Sequence, residues 1–216
     1  MQMGKNVILY GKSGSGKSTS LRNFNEDEIF LINVTQKDLP IRKKFKYEWK
    51  SDVATDIIGA LQKMPTKIAV IDDETFVMVN NFMRKHGKKE VNQFDLFNEI
   101  ANGMFNIFQA VQKLPDDVIV YHILHEDKSD NYGIVKIRTI GKLLDDKCPL
   151  EALVTICIRC MCDGTKHFFT TQSDGYDITK TPMDMFPEIE IDNDLKLVDE
   201  TIRNYYGMNK KEKEKK

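Results

Sequence analysis

The chain has 216 residues, of which 30% are charged and 41% hydrophobic, and its formal net charge at pH 7 is -1. This length fits one domain with a single buried core and is short for two domains. A charge balance so close to zero excludes a general electrostatic attraction to nucleic acid or membranes, so any contact with a polyanion must be local.

Short apolar runs, rich in Val and Ile, are typical of strands that are buried on both faces of a sheet. They occupy residues 6–10, 28–34, 67–73, 117–125 and 152–160. Because such runs recur at intervals along the chain, they predict the strands of one large sheet.

Amphipathic segments with helical spacing separate these runs. One of them places Ile57, Ile58 and Leu61 on one face. A longer one predicts a continuous apolar face that consists of Phe94, Phe97, Ile100, Met104, Phe108 and Val111. Alternating strands and helices predict an α/β fold with a mainly parallel sheet and helices on both sides.

Further strands are predicted towards the C-terminus. Residues 133–141 alternate like a hairpin arm, and residues 166–179 read as another strand followed by a Ser-Asp-Gly turn. We expect these antiparallel additions to extend a single domain over residues 1–208, and residues 209–216 to form a disordered, solvated, charged tail. The sequence has neither an apolar run of about 18 residues nor a secretory signal, so we expect a cytoplasmic protein without a membrane partner.

The segment "GKSGSGKS" at residues 11–18 follows the first apolar run and matches G-x-x-x-x-G-K-[ST] at every defined position. In this motif, glycines let backbone N–H groups approach phosphate oxygens, and a helix that begins behind the loop adds the positive end of its dipole. Lys17 would contact the β- and γ-phosphates, and Ser18 would coordinate Mg²⁺. The predicted phosphate-binding residues are Gly11, Ser13, Gly14, Ser15, Gly16, Lys17, Ser18 and Thr19.

Carboxylates that follow the third apolar run are predicted to complete the site. Asp72 would hold Mg²⁺ together with Ser18, because this ion prefers oxygen ligands and keeps several waters. Asp73 and Glu74 follow directly, and a second acid there commonly orients the attacking water. Asp73 is the preferred candidate for that role, with Glu74 as the alternative.

Other classes of nucleotide-binding protein remain open at this point. A GTPase would need N-K-x-D for guanine, and residues 127–130 read "DKSD", with Asp127 in place of the Asn. A nucleotide or small-molecule kinase would share the loop and need a basic lid, for which residues 41–50 or 83–90 could serve. A nucleotide-dependent switch that binds a partner protein and hydrolyses almost nothing is a third reading.

With these residues identified, the chain resembles the short phage-encoded AAA/RecA-like ATP-binding proteins, the Sak-four-like single-strand annealing recombinases. The matching segments are "YGKSGSGKSTSLRNF", "FLINVTQKDLPIR", "IAVIDDETFVMVNNFMRK", "TIGKLLDDK" and "MFPEIEIDNDLKLVDETIRNYYG". Together they span nearly the whole stretch from Val7 to Gly207. The resemblance implies a RecA-like P-loop core that binds ATP and Mg²⁺ and hydrolyses ATP.

The resemblance also implies further residues and partners. In RecA and AAA proteins a polar residue at the end of the strand after the acids senses the γ-phosphate, and His125 holds that position here. RecA places a catalytic Glu just after its second core strand, where this chain has Thr35 and Gln36 instead. The implied partners are single-stranded DNA, further copies of the chain in a ring or filament, and a single-strand binding protein, in the cytoplasm of a bacterial host. The predicted catalytic residues are Lys17, Asp72, Asp73, Glu74 and His125.

Single-stranded DNA requires a basic groove with aromatic or apolar faces for the bases. Basic stretches at residues 42–50, 84–89 and 128–142 meet the first requirement, and the first of them also holds Phe45, Tyr47 and Trp49. The candidate DNA contacts are Lys43, Lys44, Arg84, Lys85, Lys88, Lys136, Arg138 and Lys142. Lys142 or Arg159 is in addition a candidate to complete the nucleotide site of a neighbouring copy.

Overall fold

The structure, a computed structural model, describes residues 3–128 and 133–208. The predictions made for residues 129–132, inside the last basic stretch, and for the charged tail lie outside the described residues. The strands are β1 (Lys5–Gly11), β2 (Phe30–Asn33), β3 (Tyr47–Trp49), β4 (Ile68–Asp72), β5 (Ile119–Lys128), β6 (Val135–Ile137), β7 (Ile156–Cys162), β8 (His167–Thr170) and β9 (Glu190–Asp192). The α-helices are α1 (Ala54–Leu61), α2 (Thr75–Lys85), α3 (Gln93–Val111) and α4 (Leu195–Tyr205).

The strands form one mixed sheet in the order β3-β2-β4-β5-β1-β7-β8-β9. The strands from β3 to β7 in this order are parallel to one another, whereas β8 and β9 join antiparallel. The short strand β6 pairs antiparallel with the end of β5. The predicted mainly parallel α/β sheet is therefore confirmed, and the strands expected from residues 133–141 and 166–179 are found as β6 and β8.

Helices cover both faces of the sheet. Helices α1, α2 and α3 pack on one face, where they meet alternate strand residues such as Ile8 and Ile71. A short 3-10 helix (Ser18–Asn23) and α4 pack on the other face, against Val7 and Val70. The alternation of the strand side chains between the two faces makes two hydrophobic cores, one on each side of the sheet.

Helix α3 departs from its predicted face at its first turn. Phe94 is 72% exposed, and its backbone N–H is capped by the side chain of Asn92. Leu96 is buried at this end of the helix instead, four residues before the buried Ile100. The predicted apolar face is therefore right from Ile100 to Val111 and wrong at Phe94, because spacing alone does not decide which of two apolar residues in a first turn faces the core.

Some elements are not predicted by the sequence analysis. Strand β3 lies within the first basic stretch and forms the parallel edge of the sheet beside β2. Strand β9 and helix α4 follow the C-terminal turn region. Within residues 3–128 and 133–208, no helix is both long and apolar enough to cross a membrane.

Candidate functional site

The glycine-rich loop (residues 11–18) connects the end of β1 to the 3-10 helix. Gly11 is the last residue of β1, and a Cβ atom there would lie 2.3 Å from the carbonyl oxygen of Cys160 on β7. Gly16 has a φ of 100°, and a Cβ atom there would lie 3.0 Å from the ring of His167 on β8. Only glycine fits either position without distortion. The loop is thus packed tightly against the neighbouring strands.

The segment that follows the loop differs from the expected α-helix. It forms a 3-10 helix of 6 residues, in which the Ser20 hydroxyl donates to the carbonyl of Lys17 over 2.5 Å. An α-helix would use that carbonyl for the N–H of Leu21. Leu21 and Phe24, three residues apart, are both buried, which matches the period of a 3-10 helix. Because so short a helix has little dipole, the loop amides and Lys17 have to supply most of any attraction for an anion.

Lys17 lies inside the loop. Its ammonium group donates to the carbonyl oxygens of Gly11 over 2.8 Å and Lys12 over 2.7 Å. Burial lowers the pKa of Lys17, and the nearby Cys160, Asp73 and Asp72 oppose that shift. Among the described residues its side-chain contacts are carbonyl oxygens, so its positive charge is available to an anion held by the loop.

Ser18 and Asp72 meet at the base of the loop. The Ser18 hydroxyl donates to Oδ1 of Asp72 over 2.8 Å, and Asp72 is the last residue of β4. Burial and the neighbouring charge of Asp73 raise the pKa of Asp72 to about 6, although Ser18 and Lys17 lower it. Two adjacent oxygens beside a cationic loop suit a divalent metal that is shared with a phosphate.

These residues fit a nucleoside triphosphate together with Mg²⁺. The hydroxyl of Ser15 is buried and has no hydrogen-bond partner in the described part of the chain, so the loop retains an unused polar group besides Lys17. No group of three or more His, Cys, Asp or Glu side chains within the described ranges could hold a metal by itself. A cation between Ser18 and Asp72 would therefore depend on phosphate oxygens and water, as Mg²⁺ commonly does.

Asp73 lies next to this pair in a strained conformation. Its φ is 57°, which is unusual for a residue other than glycine and which tends to occur at functional sites. Its carboxylate contacts His125 Nε2 at 3.0 Å and accepts from the Thr35 hydroxyl at 3.3 Å, and Lys37 lies 3.9 Å away. Partial burial opposes ionisation, but His125, Lys37 and Lys17 together lower the pKa of Asp73. The carboxylate is therefore held ionised between the ends of β2, β4 and β5.

His125 lies between the glycine-rich loop and the acids. It pairs with Gly11 across β5 and β1, and its backbone N–H donates to the Thr75 hydroxyl over 2.9 Å. Its ring contacts Phe76 edge-on, with 5.8 Å between the centroids. The position of β5 between β1 and β4 thus brings His125 into contact with Asp73, the acid preferred on sequence.

Glu74 is turned away from the loop. Its side chain is fully buried, and Oε2 lies 2.7 Å from His122 Nδ1 in the core beneath α3. The structure does not bring the Glu74 side chain together with Lys17, Ser18 and Asp72, because its carboxylate contacts His122 in the core. The alternative assignment of Glu74 as the residue that orients water is therefore not supported.

Sequence reasoning missed the C-terminal side chains that hold the outer edge of the loop. The carbonyl of Ser15 accepts hydrogen bonds from the thiol of Cys160 at 3.1 Å and from His167 Nδ1 at 2.8 Å. The carbonyl of Gly16 accepts from the Asn193 amide at 3.2 Å. Because these residues lie more than 100 positions from the loop, no local pattern indicates the contacts.

A cavity of about 240 Å³ adjoins the loop on the side of β7 and is lined in part by Lys12, Glu126, Arg159 and Cys162. Arg159 donates to Glu126 at 2.9 Å and to Asp177 at 3.2 Å, and both carboxylates are buried. Arg159 is thus engaged within its own chain and is a poor candidate for a neighbour's site. Lys142 is exposed.

Most of the candidate DNA contacts pair with their own chain. Lys43 donates to the carbonyls of Arg22 and Phe24, and the ion pairs are Arg84–Asp52, Lys85–Glu99, Lys136–Asp145 and Arg138–Asp127. Lys44, Lys88 and Lys142 are exposed. Phe45 is buried in the core, so it is not available to stack on a base, whereas Trp49 is 47% exposed.

No model of a known protein family matches the chain, and the search of curated proteins finds no match. The function of the site has to be inferred from its own geometry.

Proposed function

We propose that the chain is an ATPase that binds ATP and Mg²⁺ at the glycine-rich loop. The observation that carries the proposal is the hydrogen bond of 2.8 Å between Ser18 and Asp72, beside the buried ammonium of Lys17. A cation, a metal-ligating hydroxyl and a carboxylate that meet at the end of a parallel strand are the parts that phosphoryl transfer requires.

The residues would divide the work as follows. The loop amides and Lys17 bind the phosphates, and Ser18 and Asp72 hold the Mg²⁺, which would neutralise charge on the phosphate oxygens. Asp73 would orient the attacking water, with His125 and Thr35 fixing its carboxylate. Because the pKa of Asp73 is lowered, it is a weak proton acceptor, and we expect slow turnover.

A single experiment tests nucleotide binding. Titration calorimetry with ATP and Mg²⁺ should give binding to the wild-type chain, and Lys17→Ala should weaken that binding by about 100-fold, the value of a charge-assisted contact in a partly buried site. Lys63→Ala is the matched control, because Lys63 is an exposed lysine at the end of α1. No uptake by the wild type, or equal uptake by Lys17→Ala, would refute the proposal.

We also propose that the ATPase is RecA-like and acts on single-stranded DNA in annealing or recombination, as an oligomer. The support is the resemblance of the sequence to the phage-encoded single-strand annealing recombinases, together with the contact of His125 with Asp73 beside the glycine-rich loop. A groove of about 730 Å³ along β2 and β3 offers a place for the strand. Its lining holds more basic residues (Lys37, Arg42, Lys43, Lys44 and Lys50) than acidic ones (Glu26, Asp38 and Glu48). A groove with such an excess of positive charge, beside an exposed aromatic such as Trp49, is suited to a flexible polyanion.

The DNA proposal has its own test. Fluorescence anisotropy with a labelled oligothymidylate should report binding that weakens steeply with salt, and the oligonucleotide should raise ATP turnover. Lys44→Ala should weaken DNA binding by about threefold, the value of one phosphate contact, whereas Lys63→Ala should not. If DNA changes neither the turnover nor the native mass, the annealing role is wrong while the ATPase proposal stands.

A further inference from the structure

A chain of hydrogen bonds runs from the buried Glu74–His122 pair behind the site to the half-buried Asn6. Glu74 Oε2 lies 2.7 Å from His122 Nδ1, and His122 Nε2 lies 2.8 Å from Asn6 Oδ1. The Asn6 amide donates in turn to the carbonyl of Phe108 over 3.2 Å. The His122 ring stacks on Phe108, with 4.0 Å between the centroids. This chain connects the start of α2 to β5, β1 and α3.

The hydrogen bonds fix the donor and the acceptor at the Asn6 end of the chain. Because Asn6 donates through its amide nitrogen to Phe108, its oxygen faces His122, and Nε2 donates to it. Nδ1 faces Oε2 of Glu74, so the second ring nitrogen is also engaged. Oε1 of Glu74 is buried and has no hydrogen-bond partner in the described part of the chain. The contact with His122 is therefore the hydrogen bond that fixes the Glu74 side chain.

The pair attaches residue 74 to β5 at two points. Besides the side-chain contact with His122, the backbone N–H of Glu74 donates to the carbonyl of Ile123 over 2.9 Å. Asp73 lies between this attachment and Asp72, the end of β4, and it adopts the strained φ of 57°. A strained residue keeps its conformation only where its surroundings impose it. The two contacts of Glu74 with β5 are such surroundings, and they lie directly after Asp73.

We propose that Glu74 is a positioning residue, which acts through His122 and Asn6 to hold Asp73 towards His125 and Thr35. The inference rests on the proposed function, because it gives Glu74 its role through the water that Asp73 would orient. It also assigns different tasks to two neighbouring acids. Asp73 faces the reacting atoms, and Glu74 holds the turn from behind without touching them.

Substitutions at Glu74 and Asn6 test the assignment. In Glu74→Gln, the amide can donate to Nδ1 of a neutral His122, so kcat should stay within about twofold of the wild-type value. Glu74→Ala breaks the chain at one end and Asn6→Ala at the other. Both should lower kcat by about tenfold through misplacement of Asp73. The dissociation constant for ATP with Mg²⁺ should change little, because Lys17, Ser18 and Asp72 are intact.

The outcomes separate the alternatives. If Glu74→Gln loses as much turnover as Asp73→Asn, Glu74 takes part in the chemistry and the inference is wrong. It is also wrong if both Glu74→Ala and Asn6→Ala keep full turnover. Should Glu74→Ala fail to fold, Asn6→Ala decides, with kcat expressed per nucleotide-binding site so that misfolded protein does not count.

Failure of the proposed function gives a different result. In that case the wild type neither binds nor hydrolyses ATP, and the positioning role falls with it. Nitrogen-15 NMR of the wild-type imidazoles gives a readout that does not depend on activity. His122 should show a solvent-protected proton on Nε2 that is lost or exchanges faster in Asn6→Ala. An unprotected or unprotonated Nε2 would overturn the inference whatever the turnover.

Discussion

The hydroxyl of Ser18 donates to the buried carboxylate of Asp72 over 2.8 Å, across 54 positions of sequence. In the metal-free protein this hydrogen bond is a main polar contact of a carboxylate whose pKa burial raises to about 6. A bound cation would compete with the Ser18 proton and with any proton on Asp72. Metal binding, acidity and stability would therefore be coupled at this pair.

The raised pKa of Asp72 predicts how stability depends on pH. The folded protein binds this proton more tightly than the unfolded chain does, so the contribution to stability is present below the unfolded pKa and is lost as the pH rises through about 6. We therefore compare the free energies of unfolding of Asp72→Asn and the wild type in EDTA. The difference should shift in favour of Asp72→Asn by up to about 3 kcal/mol when the pH is raised from roughly 4 to 7.5. Urea unfolding at both pH values measures this difference.

The control is the same comparison for Asp95→Asn, because Asp95 is an exposed carboxylate in the first turn of α3. The change with pH should be larger for Asp72→Asn than for Asp95→Asn. A difference from the wild type that stays constant for Asp72→Asn would contradict the raised pKa of Asp72.

The left-handed conformation of Asp73 predicts an unusual order of stability among its variants. Asp73→Gly and Asp73→Ala both remove the carboxylate, but only alanine has a Cβ atom that strains the backbone at a φ of 57°. The glycine variant should be more stable by about 1 kcal/mol, as measured by thermal or urea unfolding. At a helical or extended position alanine would be the more stable.

The same residue predicts an effect on turnover. Asp73→Asn should lower kcat by about 100-fold and leave nucleotide affinity close to the wild-type value, because its role would be to orient water. Single-turnover hydrolysis with titrated sites measures the two effects separately. Full turnover in Asp73→Asn would exclude this residue and leave His125 to be examined.

The sequence allowed the glycine-rich loop, the alternation of strands and helices, and the meeting of Ser18 with Asp72 to be expected, because each depends on a local pattern and on the edge where parallel strands end. It did not decide between Asp73 and Glu74. Their directions depend on the left-handed backbone of Asp73 and on contacts with His122 and Asn6, which lie far away in the chain. The spacing of residues in the sequence does not indicate such contacts. The structure shows them directly, because the Glu74 carboxylate is buried against His122.

The C-terminal contacts to the loop predict that nucleotide affinity depends on residues far from the motif. His167→Ala and Asn193→Ala each remove one hydrogen bond to the loop carbonyls of Ser15 or Gly16. Each should weaken ATP binding by about fivefold, because one such bond contributes about 1 kcal/mol. Calorimetric titration measures the effect.

Glu188→Ala is the control, because Glu188 is exposed and lies before β9, and it should bind ATP like the wild type. Equal ATP binding by all three variants would mean that the loop keeps its shape without the contacts of His167 and Asn193.

The cysteines of β7 predict a chemical probe of the loop. Burial raises the pKa of Cys160 to about 11 and that of Cys157 well above its usual value, so both thiols should stay protonated and unreactive in the folded protein. Cys162 is exposed and lines the cavity beside the loop. An aromatic disulfide reagent should therefore label Cys162 well before the two buried thiols. Cys162→Ser should remove the share of the fast labelling that belongs to Cys162 and leave that of the half-buried Cys148. ATP with Mg²⁺ should slow the labelling by about threefold or more, because a ligand on the loop restricts access to the cavity. Labelling that nucleotide leaves unchanged would place the phosphates away from this side of the loop.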